Sequence, residues 1–213
     1  METAYRLFSE RGISPVSMPE VAEASGVGRA TVFRYFPSKV DLVIAVGTWK
    51  WAEYIEEYIT TVTPEAVDRM TGAEYLRFYL DSFLDLYHNH ADILIVNYEF
   101  NSYFRHEPEP TQQKLPYRDI VDAVGVRFHD LYERGLRDGT LNADIPEQTM
   151  FSSAFHIMLA AVTRYAVGLI FVPEGVDPEK ELLMLEELLM KQFTKEKTRE
   201  SGKENSREYA LER

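Results

Sequence analysis

A chain of 213 residues with 45 % hydrophobic residues can bury one large core or two small ones, which excludes wholesale disorder. With no cysteine, disulfides, thiolate catalysis and cysteine-ligated zinc are excluded as well. The net charge of −12 argues against nucleic acid as a partner of the whole surface, but residues 1–40 hold five Lys/Arg against four acids while the remainder carries −13, so only the N-terminal end suits phosphate.

Residues 1–12 predict a first helix with Ala4, Leu7 and Phe8 inward and Gly12 at its end. Its start is amphipathic and charged, unlike the apolar run of a signal peptide. The most informative stretch follows, from Ser17 to Leu42. Ser17 with Glu20 three residues on forms a capping box, and Gly26 is the natural position for the positive φ that swings one helix into the next. A second helix runs from Gly28 to Phe36. Pro37 disfavours helix in the residue before it, and Ser38 caps the helix that follows. This is the layout of a helix-turn-helix, whose second helix enters the major groove of DNA. Between Gly28 and Lys39 stand three bases (Arg29, Arg34, Lys39) and no acid. An ordinary helical hairpin with a solvated basic face fits the same pattern.

Ser38 to Val62 predicts one long helix with Leu42, Val46, Trp49, Ile55, Ile59 and Val62 as its inner stripe. A helix of this length can span two domains, and the boundary is placed near residue 45. Residues 65–70 read as a linker or helical turn. Helices follow over Gly72 to His90, Ala91 to Arg105 and Pro116 to Arg137, with a proline-bearing loop at residues 106–110. The run from Gly135 to Leu141 turns the chain. The last two helices are Thr149 to Val172 and Pro178 to Thr194. The expectation is an all-α chain of about nine helices, divided into residues 1–45, 46–194 and a charged tail, 195–213. The tail carries a glutamate every four residues beside Lys and Arg, which reads as a frayed, solvated helix.

The helix over 149–172 is apolar nearly all round and must be covered on all sides. His156, Thr163 and Arg164 interrupt it, which favours a buried helix over a membrane span. Paired with the helix over 178–194, two copies would form a four-helix bundle and a homodimer. A monomer that buries this helix centrally is the alternative.

Between residues 72 and 137 many aromatics fall on inner faces, among them Tyr79, Phe83, Tyr87, Tyr98 and Phe128. Apolar walls with a few polar groups suit a small-molecule site, although each such ring serves equally as core. The rarer polar groups on inner faces are His90, Asn101 and His156, the last fitting a pocket or the dimer interface. His88 and His90 point about 200° apart on a helix, so they do not chelate one metal unless the helix ends there. Gly-x-Ser-x-Gly, His-Glu-x-x-His and a glycine-rich loop followed by lysine are all missing from the sequence. No catalytic residue, cofactor or metal is expected.

The N-terminal run resembles the DNA-binding domain of the TetR family of transcriptional regulators. Ala4, Leu7, Phe8, Gly12, Ser17, Val21, Ala22, Ala24, Gly26, Val27, Thr31, Phe36, Pro37, Ser38, Lys39 and Leu42 carry the likeness in order and spacing. The glycine-bearing turn at 135–141, followed by Asp144, is similar to the family pattern too. The resemblance implies a DNA-reading head that uses Ser17, Gly28, Arg29, Thr31, Phe33, Arg34, Tyr35 and Lys39. In it Arg29 or Arg34 reads guanine and Thr31 touches a thymine methyl or a phosphate, while Ser17, Tyr35 and Lys39 hold phosphates. Phe33 stands where the family usually has tyrosine. Family members start the first helix several residues earlier, behind a basic arm, so either the arm is missing or the chain is shortened. The implied function is a cytoplasmic, homodimeric, ligand-responsive regulator, a repressor in the family majority. It would be released from operator DNA by a small molecule. The alternative is a helical small-molecule-binding protein or enzyme that keeps the head without reading DNA.

Overall fold

The computed structural model describes residues 1–106, 115–168, 175 and 177–195, with the side chains of 106, 115–117 and 121 outside that description. Its regular structure is helical, apart from one isolated antiparallel bridge between Leu141 and Thr194. Three short helices, α1 (Glu2–Arg11), α2 (Met18–Ser25) and α3 (Arg29–Tyr35), form the N-terminal head. Ala4, Phe8, Ile13, Val16 and Ala22 are buried at its centre. Ser17 and Glu20 make the predicted capping box, and Gly26 takes φ 68°, which turns α2 toward α3.

The fourth helix, α4 (Lys39–Ile59), starts at a second capping box between Ser38 and Asp41. Its 21 residues span about 30 Å. Leu42, Val43 and Val46 are buried beside the head, and Tyr54 is buried further along. The helix stops three residues before the predicted Val62. There the hydroxyls of Thr60 and Thr61 donate back to the carbonyls of Glu57 and Tyr58 and close the last turn. Of the two readings of 65–70, linker or helical turn, the helical one holds, as the short helix α5 (Pro64–Arg69), so the described residues hold ten helices rather than nine. The Thr63 side chain caps it and Pro64 occupies its first turn, where no amide proton is needed.

The body consists of α6 (Gly72–Asn89), α7 (Ala91–His106), α8 (Leu115–Arg137), α9 (Glu147–Val167) and α10 (Pro178–Phe193). The central element is α6, which packs on α7, α8, α9 and α10 through buried Leu76, Leu80, Phe83 and Leu86. Its polar stripe faces α10 rather than solvent alone. Arg77 bonds Glu186 at 2.6 Å and Glu187 at 2.7 Å, and His88 pairs with Glu179. Burial, then repulsion from Asp81, pushes the Glu186 carboxyl above its usual range despite Arg77.

The start of α6 lies against the end of α8. A Cβ added at Gly72 would meet the Cα of Gly135 at 2.1 Å, so the two glycines permit this crossing. The predicted turn after α8 has a structural task here. Asp138 Oδ2 accepts from the Gly72 amide at 2.7 Å, and Thr140 Oγ1 accepts from the Ala73 amide at 3.0 Å. That turn therefore caps α6 from a distance.

Helix α9 begins two residues earlier than predicted and ends five earlier. Gly168, at φ 99°, terminates it at Val167. Residues 169–172, the predicted loop at 107–110 and the tail beyond 195 lie outside the described residues. By length and composition α9 is apolar enough to cross a membrane, but it packs on α6, α7, α8 and α10.

Candidate DNA-reading head and effector cavity

In the head, α3 follows the αL turn at Gly26, with Gly28 as its N-cap. Val32 alone of α3 is buried, and Phe36 packs beside the core. The face left outside carries Arg29, Phe33, Arg34 and Tyr35, with Phe33 43 % and Tyr35 68 % exposed. The Arg34 guanidinium lies 5.3 Å from the Tyr35 ring centre. Thr31 is half-buried on the same short helix. Ser17 is committed to its cap, accepting from the Glu20 amide at 3.3 Å. Lys39 is engaged within the protein. Its Nζ donates to the Ser14 carbonyl at 2.9 Å and lies 5.3 Å from the Tyr103 ring centre. The predicted readers Arg29 and Arg34 are therefore both exposed on α3, about 140° apart around its axis, while Lys39 ties the head to α7.

The head docks on α7 through α1. Tyr5 donates to Asp92 Oδ2 at 2.6 Å, and the Ile13 amide donates to Glu99 Oε2 at 3.4 Å. Burial first, and then Asp92, pushes the Tyr5 phenol above its ordinary range.

The predicted ligand-binding residues separate into distinct places. Tyr79, Phe83 and Phe128 gather between α4, α6 and α8. Tyr79 stands edge-on to both of the others, with ring centres 5.4 Å and 5.3 Å away. They line two adjoining hollows that share Tyr54, Ile55, Tyr79, Ser82 and Val124 and are partly open to solvent. The cavity volumes are about 90 Å³ in one and 70 Å³ in the other, below the roughly 300–1,000 Å³ of drug-sized sites. Tyr98, Asn101 and His156 instead line a broad open groove between α7 and α9. Tyr87 packs near Tyr165, with ring centres 6.4 Å apart. His90 leaves the predicted stripe because α6 ends at Asn89. It caps the helix, its ring lies 5.0 Å from that of Tyr54, and its Nε2 is 3.7 Å from Asp85.

One wall of the hollows was foreseen only in part. Ile55 and Ile59 of the predicted inner stripe of α4 line them, and so do Trp51, Tyr54 and Tyr58. The spacing of these three by three and four residues is a second stripe beside the predicted one, and that signal was present in the sequence. Two of these rings have their hydroxyls committed, Tyr54 to the Ser82 carbonyl at 2.6 Å and Tyr58 to the Phe78 carbonyl at 3.0 Å. The Tyr79 hydroxyl, in contrast, is buried with no partner among the described residues. Such a group costs about 1–3 kcal/mol while it stays unpaired. Among the described residues no group of three or more His, Asp or Glu is placed to hold a metal.

Residues 1–46 match the family model described as "Bacterial regulatory proteins, tetR family". The chain is 22 % identical over 153 residues to the transcriptional repressor KstR2 of Mycolicibacterium smegmatis, covering 68 % of this chain and 67 % of that one. It is 38 % identical over 53 residues to the transcriptional regulator AcrR of Shigella flexneri, which spans 25 % of this chain and about a quarter of AcrR, 24 %. The fold is similar to that of FadR from Bacillus subtilis, solved in complex with stearoyl-CoA, with a TM-score of 0.67, 17 % identity and coverage of 90 % of this chain and 96 % of that one. A helix-turn-helix head on an all-helical body defines a transcriptional regulator. Residues 1–46 carry the head of the TetR family of such regulators, and the whole fold is similar to that of solved transcriptional regulators.

Proposed function

We propose that this regulator is a ligand-responsive repressor that binds operator DNA as a homodimer and is released when a small molecule fills the hollows between α4, α6 and α8. The observation that carries this reading is the course of α4. Its first turn is capped beside α3, and its last two turns wall the hollows. A ligand that shifts those last turns shifts the seat of α3. The mechanism is a population shift between a DNA-competent state and a ligand-favoured one. In the competent state two copies hold their α3 helices about 34 Å apart, one turn of DNA.

We place the DNA-binding domain at residues 1–45 and the effector-binding and dimerisation domain at 46–194. Dimerisation is assigned to α9 and α10. Leu182, Leu189 and Phe193 are buried inside the subunit, whereas Ile157, Leu183, Met184 and Leu188 remain 42–58 % exposed on these two packed helices. Apolar groups grouped in this way mark an interaction surface. The family relatives are regulators rather than enzymes, which supports a cytoplasmic, non-enzymatic protein. Band-shift titration of the full-length protein on its own upstream DNA tests the reading. Salt-sensitive binding is expected, and a dimer that binds no DNA at low salt overturns it.

A further inference from the structure

The chemistry of the cavity between α4, α6 and α8 also selects a class of effector, and this step rests on the effector-cavity reading above. We infer that the ligand is a ring-bearing hydrophobic carboxylate, with its ring system between the aromatic walls and its charge at Arg127. The inference joins two observations. The first is the Tyr79 hydroxyl, which lines both hollows, is shut off from solvent and has no partner among the described residues. The neighbouring hydroxyls of Tyr54, Tyr58 and Ser82 are already bound to backbone carbonyls. Tyr79 is therefore the donor held in reserve for an acceptor that enters from outside the chain.

The second observation is electrostatic. Arg127, exposed at the rim of the first hollow, is the one charged lining residue among the described residues, and it forms no ion pair among them. Asp130, one turn away, is bound by Arg134 at 3.2 Å instead. Carboxylates lie near the hollows as well, since Asp85, Glu57 and Asp81 act on the Tyr54 and Tyr58 phenols, and Arg127 is the lining group that offers a carboxylate its counter-charge. Without Arg127 the aromatic walls would suit a quaternary ammonium equally well. The rings favour a flat ligand. Tyr58 and Phe78 stack at 4.9 Å with planes 23° apart, while Tyr79 stands edge-on to Phe83 and Phe128. Such walls offer an aryl group both faces and edges.

The test uses three probes of one shape, 2-naphthylacetate, 2-(2-naphthyl)ethanol and 2-(2-naphthyl)ethylamine. Calorimetric titration and melting of the full-length protein give the affinities. The carboxylate is expected to bind about tenfold more tightly than the alcohol, as for one charge-assisted contact at a partly exposed site, and the amine most weakly. Arg127→Gln should erase the difference between carboxylate and alcohol, and Tyr79→Phe should weaken both while the unliganded fold melts higher, because the unpaired hydroxyl is gone. Equal binding of alcohol and carboxylate, or preference for the amine, overturns the charge assignment and leaves the cavity reading standing. If none of the three binds, the cavity itself is not the effector site.

Discussion

Tyr5 in α1 and Asp92 in α7 are 87 positions apart in sequence and share a 2.6 Å hydrogen bond, which latches the head to the body. The Tyr5 ring also stands edge-on to Trp49, with centres 6.2 Å apart. Tyr5→Phe keeps that packing and removes only the bond. It is expected to cost about 1 kcal/mol, and therefore to lower the melting temperature by about 2–4 °C. If the latch carries cavity motion to the head, the variant binds operator normally but needs more ligand for release. Band-shift titration with ligand reads that out, and an unchanged release curve removes this bond from the coupling.

The contact of Gly72 with Gly135 makes a sharper prediction. An added Cβ at Gly72 would lie 2.1 Å from the Gly135 Cα, and neither backbone can yield without separating α6 from α8. Gly72→Ala is expected to cost about 1–3 kcal/mol or more, as overpacking does, and to lower the thermal midpoint accordingly. Because α6 and α8 both wall the cavity, effector affinity should fall with it. A variant as stable as the parent would mean that the crossing adjusts more easily than the distance implies.

Much of this architecture was legible in the sequence because it is local. Ser17 with Glu20, the glycine at 26 and Pro37 before Ser38 specify their turns with neighbours a few residues away. Whether 65–70 is a linker or a helical turn stays open in the sequence because six residues with one proline give little periodicity, and the decisive signal is the Thr63 cap. The cavity was half legible. Tyr79, Phe83 and Phe128 do converge, but Tyr98, Asn101 and His156 fall on another surface, because facing one side of a helix does not say which neighbour lies there. Asp138 was read as part of a turn, and its role as a distant cap for α6 is a tertiary fact that no local pattern encodes.

Asp138 itself gives a pH signature. Burial alone pushes its carboxyl up, but hydrogen bonds from Thr140 and the Gly72 amide outweigh that and hold it below the ordinary range. A depressed folded value stabilises the protein above the unfolded pKa, and that contribution is lost as pH falls through the folded value. Asp138→Ala should therefore cost about 1–2 kcal/mol at neutral pH, as a lost helix cap does. The gap between parent and variant should shrink below about pH 4. Thermal melts from pH 7 to pH 3 check it, and a gap that stays constant with pH would contradict the cap.

The exposed apolar residues of α10 predict the oligomer. Met184 and Leu188, at 58 % and 54 % exposure, contribute little to the subunit's own core. Introducing like charges with Met184→Lys and Leu188→Lys should leave the fold intact and split a dimer that uses this face. Sedimentation velocity should then report monomer, and operator binding should collapse with it. A monomeric parent would overturn the interface assignment.

The head offers two bases with different surroundings, and they should fail differently. Arg29 stands exposed on α3, and a bidentate contact to guanine is worth about 1–3 kcal/mol of discrimination. Arg29→Ala should lower affinity for the preferred site by that amount and relax the preference at one position, with melting unchanged. Lys39 holds the Ser14 carbonyl and lies over Tyr103. Lys39→Ala should weaken all sequences alike and also loosen the head from α7, so that DNA affinity and melting temperature fall together. Competition band shifts beside thermal melts separate the two. If Lys39→Ala changes sequence preference instead, the side chain reads bases and its contacts with Ser14 and Tyr103 do not persist on DNA.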